Sequence, residues 1–287
     1  MGWLLVDEHF DLRPWKRVHH RIISHALPKP LDLELRARRR PPPIGCMEWP
    51  AGRVLLQLLL DEELVRCDCA ACVLEIGAGV GTTAIGLALA ATTVGDSAPL
   101  LKVVATDSCE SALANLRDNA TANGVAAPSL LRAEQWDASD GTSALTSCPV
   151  EPSSLTHVIG ADIVYHGGAA EGGEDLESGR GLAATLAMLL REQPGISVTL
   201  LLVDRFSGGA VAALALNAGV RHTSTTVDPA LAAFEKHCQE QSLSVSREPV
   251  PSSVVRSVSA FQPIWTRASW WLAGTWEGLQ VYRVRRA

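Results

Sequence analysis

Three small groups of residues carry types and spacings that can do chemistry. The first is the run Val73-Leu74-Glu75-Ile76-Gly77-Ala78-Gly79-Val80-Gly81-Thr82-Thr83. An apolar strand that turns through glycines into a helix lets a cofactor approach the backbone, in dihedrals that a Cβ would forbid. The spacing is GxGxG with an acid ahead of it at Glu75; the dinucleotide pattern GxGxxG would need glycine where Thr82 stands. The second group is the acid Asp107, which ends the run Lys102-Val103-Val104-Ala105-Thr106 about one βα unit later. An acid there can accept both hydroxyls of a ribose, a feature shared with nicotinamide-dinucleotide binders, whereas a helix cap by Asp107 or Ser108 is the structural alternative. The third is Asp162 with Tyr165, directly after the apolar run Leu155 to Gly160. That is the end of a strand at which open α/β sheets place their ligands.

The elements that must position these groups alternate along the chain. Short β-branched or leucine-rich runs at 72–76, 102–106, 155–161 and 197–203 predict strands, and helical patterns cover 82–91, 109–123, 181–191 and 209–218. Such alternation implies a parallel sheet covered on both faces. Upstream, two basic-apolar stretches at 18–24 and 31–38, separated by Pro28 and Pro30, predict a hairpin. Pro41, Pro42 and Pro43 break regular structure, and a helix follows from Pro50. Downstream, a helix is expected from Pro229 to Gln241 and a last strand near Leu279 to Val284. The division expected is an extension with a hairpin over 1–43 and one doubly wound domain over 44–287.

In order and spacing, VLEIGAGVGTTAIGLALA, VVATDSCESALANLRDNATANG, Glu48-Trp49-Pro50-Ala51, Trp136-Asp137 and Gly160-Ala161-Asp162-Ile163-Val164-Tyr165 resemble the seven-β-strand lysine methyltransferases. This group, also called methyltransferase family 16, includes enzymes acting on calmodulin, elongation factors and chaperones. The resemblance covers about Leu31 to Val203; Trp-Pro-Ala and Asp-x-x-Tyr are its most diagnostic pieces. It implies a Rossmann-like, mostly parallel seven-stranded α/β sheet with an antiparallel last strand, S-adenosylmethionine as cofactor, and a protein substrate. It further implies that Glu75, Gly77, Ala78 and Gly79 line the methionine and ribose part of the cofactor, with Asp107 on the ribose hydroxyls. Trp136 would pack beside the adenine, Ala161 would present backbone near the sulfonium, and Trp49 would close the pocket. Each has a plainer reading as a core or rim residue.

Transfer from a sulfonium needs an acceptor held in line with the methyl group, and alignment alone supplies several kcal/mol. It also needs a neutral amine, and a free lysine of pKa about 10.4 costs about 4 kcal/mol to deprotonate near neutrality. Tyr165 and an apolar rim would lower that cost by desolvating the ammonium. Asp162 would orient the amine; because a carboxylate also opposes deprotonation, positioning suits it better than general-base work. These two are the expected catalytic residues. The alternatives are an arginine, histidine or small-molecule acceptor, and a non-catalytic binding protein that keeps the fold.

Composition narrows the rest. Of 287 residues 47% are hydrophobic and 20% charged, which places the chain in the globular range. The net charge of -6 argues against wholesale phosphate binding, so nucleic acid is not the expected partner. Positive charge gathers early, at Arg13, Lys16, Arg17, Arg21, Lys29, Arg36, Arg38, Arg39 and Arg40. It reads as a solvated strand edge, as a surface that steers a substrate with an acidic face, or as a nuclear-import signal. The 7 cysteines are an odd count; only Cys67, Cys69 and Cys72 cluster, with no second knuckle, so no metal is expected. With neither a membrane span nor a signal peptide in the sequence, the expected compartment is the cytoplasm, with the nucleus as a second site. The tryptophans Trp265, Trp270, Trp271 and Trp276 and the loop 167–181 are left without an assigned role.

Overall fold

The computed structural model describes residues 15–38, 44–94, 101–164, 177–204, 228–260 and 278–287. The hairpin consists of β1 (Trp15–Ile22) and β2 (Leu31–Arg38), paired antiparallel from Trp15 opposite Arg38 to Ile22 opposite Leu31. After a short turn at Ile44–Cys46 comes α1 (Pro50–Asp61), whose first residue is a proline that needs no amide partner there. The alternating part runs β3 (Ala71–Ile76), α2 (Thr82–Thr93), β4 (Leu101–Asp107), α3 (Glu110–Ala122), β5 (Leu131–Gln135), α4 (Thr142–Thr146), β6 (His157–Ala161), α5 (Glu177–Glu192) and β7 (Ser197–Val203). It closes with α6 (Pro229–Glu240), β8 (Leu243–Pro249), α7 (Ser252–Ala260) and β9 (Leu279–Arg286).

Seven strands form one sheet in the order β5-β4-β3-β6-β7-β9-β8, all parallel except β9, which runs antiparallel between β7 and β8. The fold is therefore the Rossmann-like, doubly wound sheet with an N-terminal hairpin that the sequence led us to expect. Winding reverses between β3 and β6, and the crevice at such a reversal is where this architecture binds ligands. Alternate residues of the central strands feed two cores. Val73, Leu201 and Val203 pack with α1, α2 and the hairpin, whereas Leu74, Ile76, Leu200 and Leu202 pack with α5 and α6. Two strands and two helices escaped the sequence reading, β5, β8, the short α4 and α7. Both strands lie at sheet edges, where Leu131-Arg-Ala-Glu-Gln and Leu243-Ser-Val-Ser-Arg-Glu-Pro carry too few apolar residues to stand out. Among the described residues no helix is long and apolar enough to cross a membrane.

The hairpin is fastened to the sheet in two ways. Its apolar row, Leu31, Leu33, Leu35 and Ala37, is buried in the same core as α1 and α2. Its backbone is hydrogen-bonded by asparagine side chains of α3 and its C-cap. Asn123 accepts from Glu34 N (3.1 Å) and donates to Glu34 O (2.6 Å); Asn119 accepts from Arg36 N (2.8 Å) and donates to Arg36 O (3.2 Å). Asn115 donates to Arg36 O at 2.7 Å. The carboxamides thus stand in for a neighbouring strand along β2 and satisfy an edge that is otherwise a template for aggregation.

A buried charge network joins β1 to α1. Arg53, 1% exposed, places Nη1 2.7 Å from His20 Nδ1 and donates from Nη2 to Arg21 O at 3.1 Å, while His20 Nε2 lies 3.1 Å from Glu48 Oε1. A guanidinium can only donate, so His20 Nδ1 accepts and Nε2 donates to Glu48. Burial pushes the Glu48 carboxyl up, but the hydrogen bond from His20 and the charges of Lys16 and Arg53 outweigh it and hold the pKa below the ordinary carboxylate value. Burial lowers Arg53 to about 10, opposed by Glu48. Because the folded pKa of Glu48 is depressed, its stabilisation is present above the unfolded value and is lost as pH falls through the folded one. Glu48→Gln should therefore cost about 2 kcal/mol at pH 7, the scale of a charge-assisted hydrogen bond. The difference from wild type should shrink as pH falls through the lowered folded value, as urea denaturation at pH 7 and in acid would show; an equal cost at both would assign it to packing.

Candidate active site

The glycine loop follows β3 directly. Gly77, Gly79 and Gly81 have φ of 66°, 54° and 90°, a region that favours glycine. The loop is also closely packed. A Cβ on Gly77 would stand 2.6 Å from Ile163 Cγ2, and one on Gly79 would stand 3.1 Å from Gly45 O. Ala78 N donates to Thr106 O (2.8 Å), Thr106 Oγ1 to Glu75 O (2.7 Å), and Gly79 N to Asp107 Oδ2 (2.9 Å), so β4 fixes the turn.

Two acids face this loop. Asp107, 9% exposed, also accepts from Cys109 N at 2.9 Å through Oδ1. Burial and the Asp137 charge raise its pKa, while the amides of Cys109 and Gly79 lower it; the balance is upward. Each oxygen has one amide donor and retains acceptor capacity, as a pair of ribose hydroxyls requires. The helix-cap reading and the ribose reading are therefore compatible. Glu75 is 2% exposed, and burial pushes its pKa up to about 8 against contacts with Thr83 and the Ala84 amide. Among the described residues its Oε2 is buried without a hydrogen-bond partner. A buried acceptor left open at the base of a glycine loop is a place for a ligand cation.

The remaining site residues distribute as follows. Trp136 is 4% exposed just beyond β5; its backbone N donates to Asp107 O (3.1 Å) and its ring Nε1 to Ala144 O (2.8 Å). Its ring is thus fixed on Ala144 while its backbone is tied to that of Asp107. Ala161 ends β6, and Asp162 follows in a left-handed conformation, φ 54°, with its N donating to Leu201 O at 2.7 Å. Asp204, 6% exposed, directly follows the neighbouring β7. Trp49 is 41% exposed at the start of α1, and Thr83 Oγ1 donates to Gly52 O (3.1 Å), tying that start to α2. Glu75, Gly77, Ala78, Gly79, Asp107, Trp136, Ala161 and Asp162 thus gather at the carboxyl ends of β3, β4, β5 and β6. Trp49 stands on the rim. Tyr165, the helix expected over 209–218 and the four late tryptophans lie outside the described residues. Sequence reasoning missed Ile163, whose side chain fills the space that both Gly77 and Gly160 leave; a Cβ on Gly160 would stand 2.7 Å from its Cδ1. The signal was two glycines on adjacent strands with one bulky residue between them and the ligand edge.

The family model described as lysine methyltransferase matches residues 29–200, more than half of the chain. The chain belongs to the lysine methyltransferase family. Similar solved structures include TrmN from Thermus thermophilus (18% identity, TM-score 0.48), over 82% of this chain and 49% of that one. The chain thus spans about half the length of TrmN. Another is a TehB-like SAM-dependent methyltransferase from Corynebacterium glutamicum (10% identity, TM-score 0.44), over 84% of this chain and 90% of that one. A third is a SAM-dependent methyltransferase from Aquifex aeolicus (11% identity, TM-score 0.44), over 82% and 93%. No curated protein sequence matches the chain.

The residues present fit S-adenosylmethionine, the cofactor that the family resemblance implies. The open Glu75 oxygen suits a cationic group, Asp107 suits a ribose, and the left-handed glycines leave the backbone bare. Among the described residues no three His, Cys, Asp or Glu side chains group to hold a metal ion. Asp107→Asn should weaken S-adenosylmethionine binding about tenfold, since a charge-assisted bond is worth about 1.5 kcal/mol or more. Calorimetry giving wild-type affinity for the folded variant would remove Asp107 from the site.

Proposed function

We propose that this methyltransferase acts on a lysine side chain of a protein. One observation carries the reading. Asp162 is held in a left-handed turn at the end of β6 while the adjacent Ile163 packs on Gly77, so the carboxylate-bearing turn abuts the cofactor loop. When bound, the cofactor supplies an electrophilic methyl group on a sulfonium. Asp162 accepts a hydrogen bond from the amine and aims its lone pair; Tyr165 and the apolar rim exclude water, which favours the neutral amine. A neutral amine so held would take the methyl group as the neutral thioether, S-adenosylhomocysteine, leaves, and the methylated ammonium would lose its proton to solvent once the pocket opens. Trp49, half-exposed on the rim, closes the pocket on the substrate side.

The substrate in this reading presents an acidic surface to the hairpin. On the hairpin Arg17 is paired with Glu34 at 2.9 Å and Arg21 with Asp32 at 3.7 Å, and the basic residues continue to the far end. There Arg36 and Arg38 lie over the Trp15 ring at 4.5 and 5.7 Å. The test is incubation of the protein with labelled S-adenosylmethionine and a cell lysate, with the labelled residue identified by mass spectrometry. A labelled lysine is expected. Label confined to arginine, histidine or a small molecule would overturn the lysine reading, and cofactor binding without any transfer would favour a non-catalytic role.

A further inference from the structure

Asn119 touches both halves of the proposed machinery. It is 2% exposed on α3, and its carboxamide makes three bonds. Oδ1 accepts from Arg36 N at 2.8 Å; Nδ2 donates to Arg36 O at 3.2 Å and to Val80 O at 2.9 Å. Val80 stands between Gly79 and Gly81, both left-handed, and Gly79 N is itself held by Asp107. One buried side chain therefore spans from the backbone of β2 to the backbone of the glycine loop. An amide alone among the short side chains offers two donors and an acceptor in this arrangement. Its neighbour Asn123 provides a contrast, since its side chain reaches Glu34 and Asn119 O but not the loop.

We propose that Asn119 is a positioning residue that couples the hairpin to the cofactor loop, so that cofactor binding stiffens the face on which the protein substrate docks. This rests on the reading of the glycine loop as the cofactor cradle. The chain of contacts is short. A cofactor that orders the turn at Gly79–Gly81 fixes Val80 O, which fixes the Asn119 amide, which holds both polar groups of Arg36. Linkage is reciprocal: a substrate that orders β2 tightens cofactor binding by the same factor. Arg36 and Arg38, stacked on Trp15, are the residues whose presentation the coupling sets.

Hydrogen exchange of residues 31–38 in the full chain, with and without S-adenosylhomocysteine, tests this. In the wild type the ligand should slow exchange there about fivefold, the lower end of usual coupling. In Asn123→Ala, exchange of the free protein should rise but still fall on adding ligand. In Asn119→Ala the ligand response should disappear. Should that variant not fold, Asn119→Ser, whose hydroxyl is too short to reach both carbonyls, takes its place. A wild-type hairpin indifferent to a ligand that calorimetry shows to be bound overturns the coupling, and so does a response that survives loss of the Asn119 amide. Failure of the ligand to bind the wild type would instead sink the cofactor reading.

Discussion

Glu75→Gln is expected to raise stability at and above neutral pH while impairing cofactor binding. Glu75 has a folded pKa of about 8 because of its burial, well above the ordinary 4.5. A carboxyl so raised favours the folded state below the unfolded pKa; that contribution fades as pH climbs from there through the folded value. At about 1.4 kcal/mol per unit, the loss reaches roughly 3 kcal/mol by pH 7 and 4 to 5 kcal/mol by pH 8. Glutamine, neutral at every pH, escapes the loss, so the variant should gain most in mild alkali and nothing below pH 4. For a chain of this size the gain at pH 7 corresponds to roughly 6 to 12 °C in Tm. Binding moves the other way, because a ligand cation beside the open oxygen stabilises the carboxylate and expels its proton. Calorimetry at pH 7 in two buffers of different ionisation enthalpy should show nearly one proton released per cofactor bound by wild type and none by the variant. Equal proton counts, with equal affinities, would mean that the Glu75 oxygen does not meet the cofactor.

The second large effect concerns turnover. Replacing the Asp162 carboxylate should lower kcat and kcat/KM together by about 10²-fold or more, the scale known for a misplaced reacting group, with cofactor affinity little changed. The backbone decides which variant reads cleanly. At φ 54° alanine carries a left-handed strain of roughly 1 to 2 kcal/mol, whereas asparagine is tolerated there. Asp162→Asn therefore keeps the turn and the Ile163 packing and removes only the charge; Asp162→Ala mixes lost chemistry with a shifted cofactor loop. Stopped assays should find affinity near wild type for the asparagine variant and reduced for alanine. A folded Asp162→Asn enzyme that turns over normally would return Asp162 to the role of a strand-ending turn residue.

The central half of the molecule was legible because its strands are buried on both faces and so read as unbroken apolar runs. Residues 72–76, 102–106 and 197–203 were placed within a residue of their strands, and the left-handed glycines of the loop announced themselves by type. What escaped shares a physical cause. The edge strands β5 and β8 have polar sequences because one side faces water, and the network of His20, Glu48 and Arg53 joins residues 28 and 33 positions apart. Nothing local in a lone histidine on an alternating strand tells that an arginine from a helix will be buried against it. Ile163 was invisible for a similar reason, since its partners Gly77 and Gly160 become a slot only after β3 and β6 lie side by side.

The asparagines along α3 face a limit set by two rulers of unequal pitch. Four residues of helix advance about 6.0 Å, while two residues of strand advance about 6.7 Å. Asn123 and Asn119 meet Glu34 and Arg36 within that tolerance. By a third rung the lag has grown to roughly 1.4 Å, half the length of a hydrogen bond. Asn115 does not reach residue 38, whose backbone is bridged to Met47 instead: its amide turns back to Arg36 O, and among the described residues its Oδ1 has no partner. The helix imitates a strand here as a vernier does, for two graduations, and the dock ends where Met47 takes over the pairing of β2.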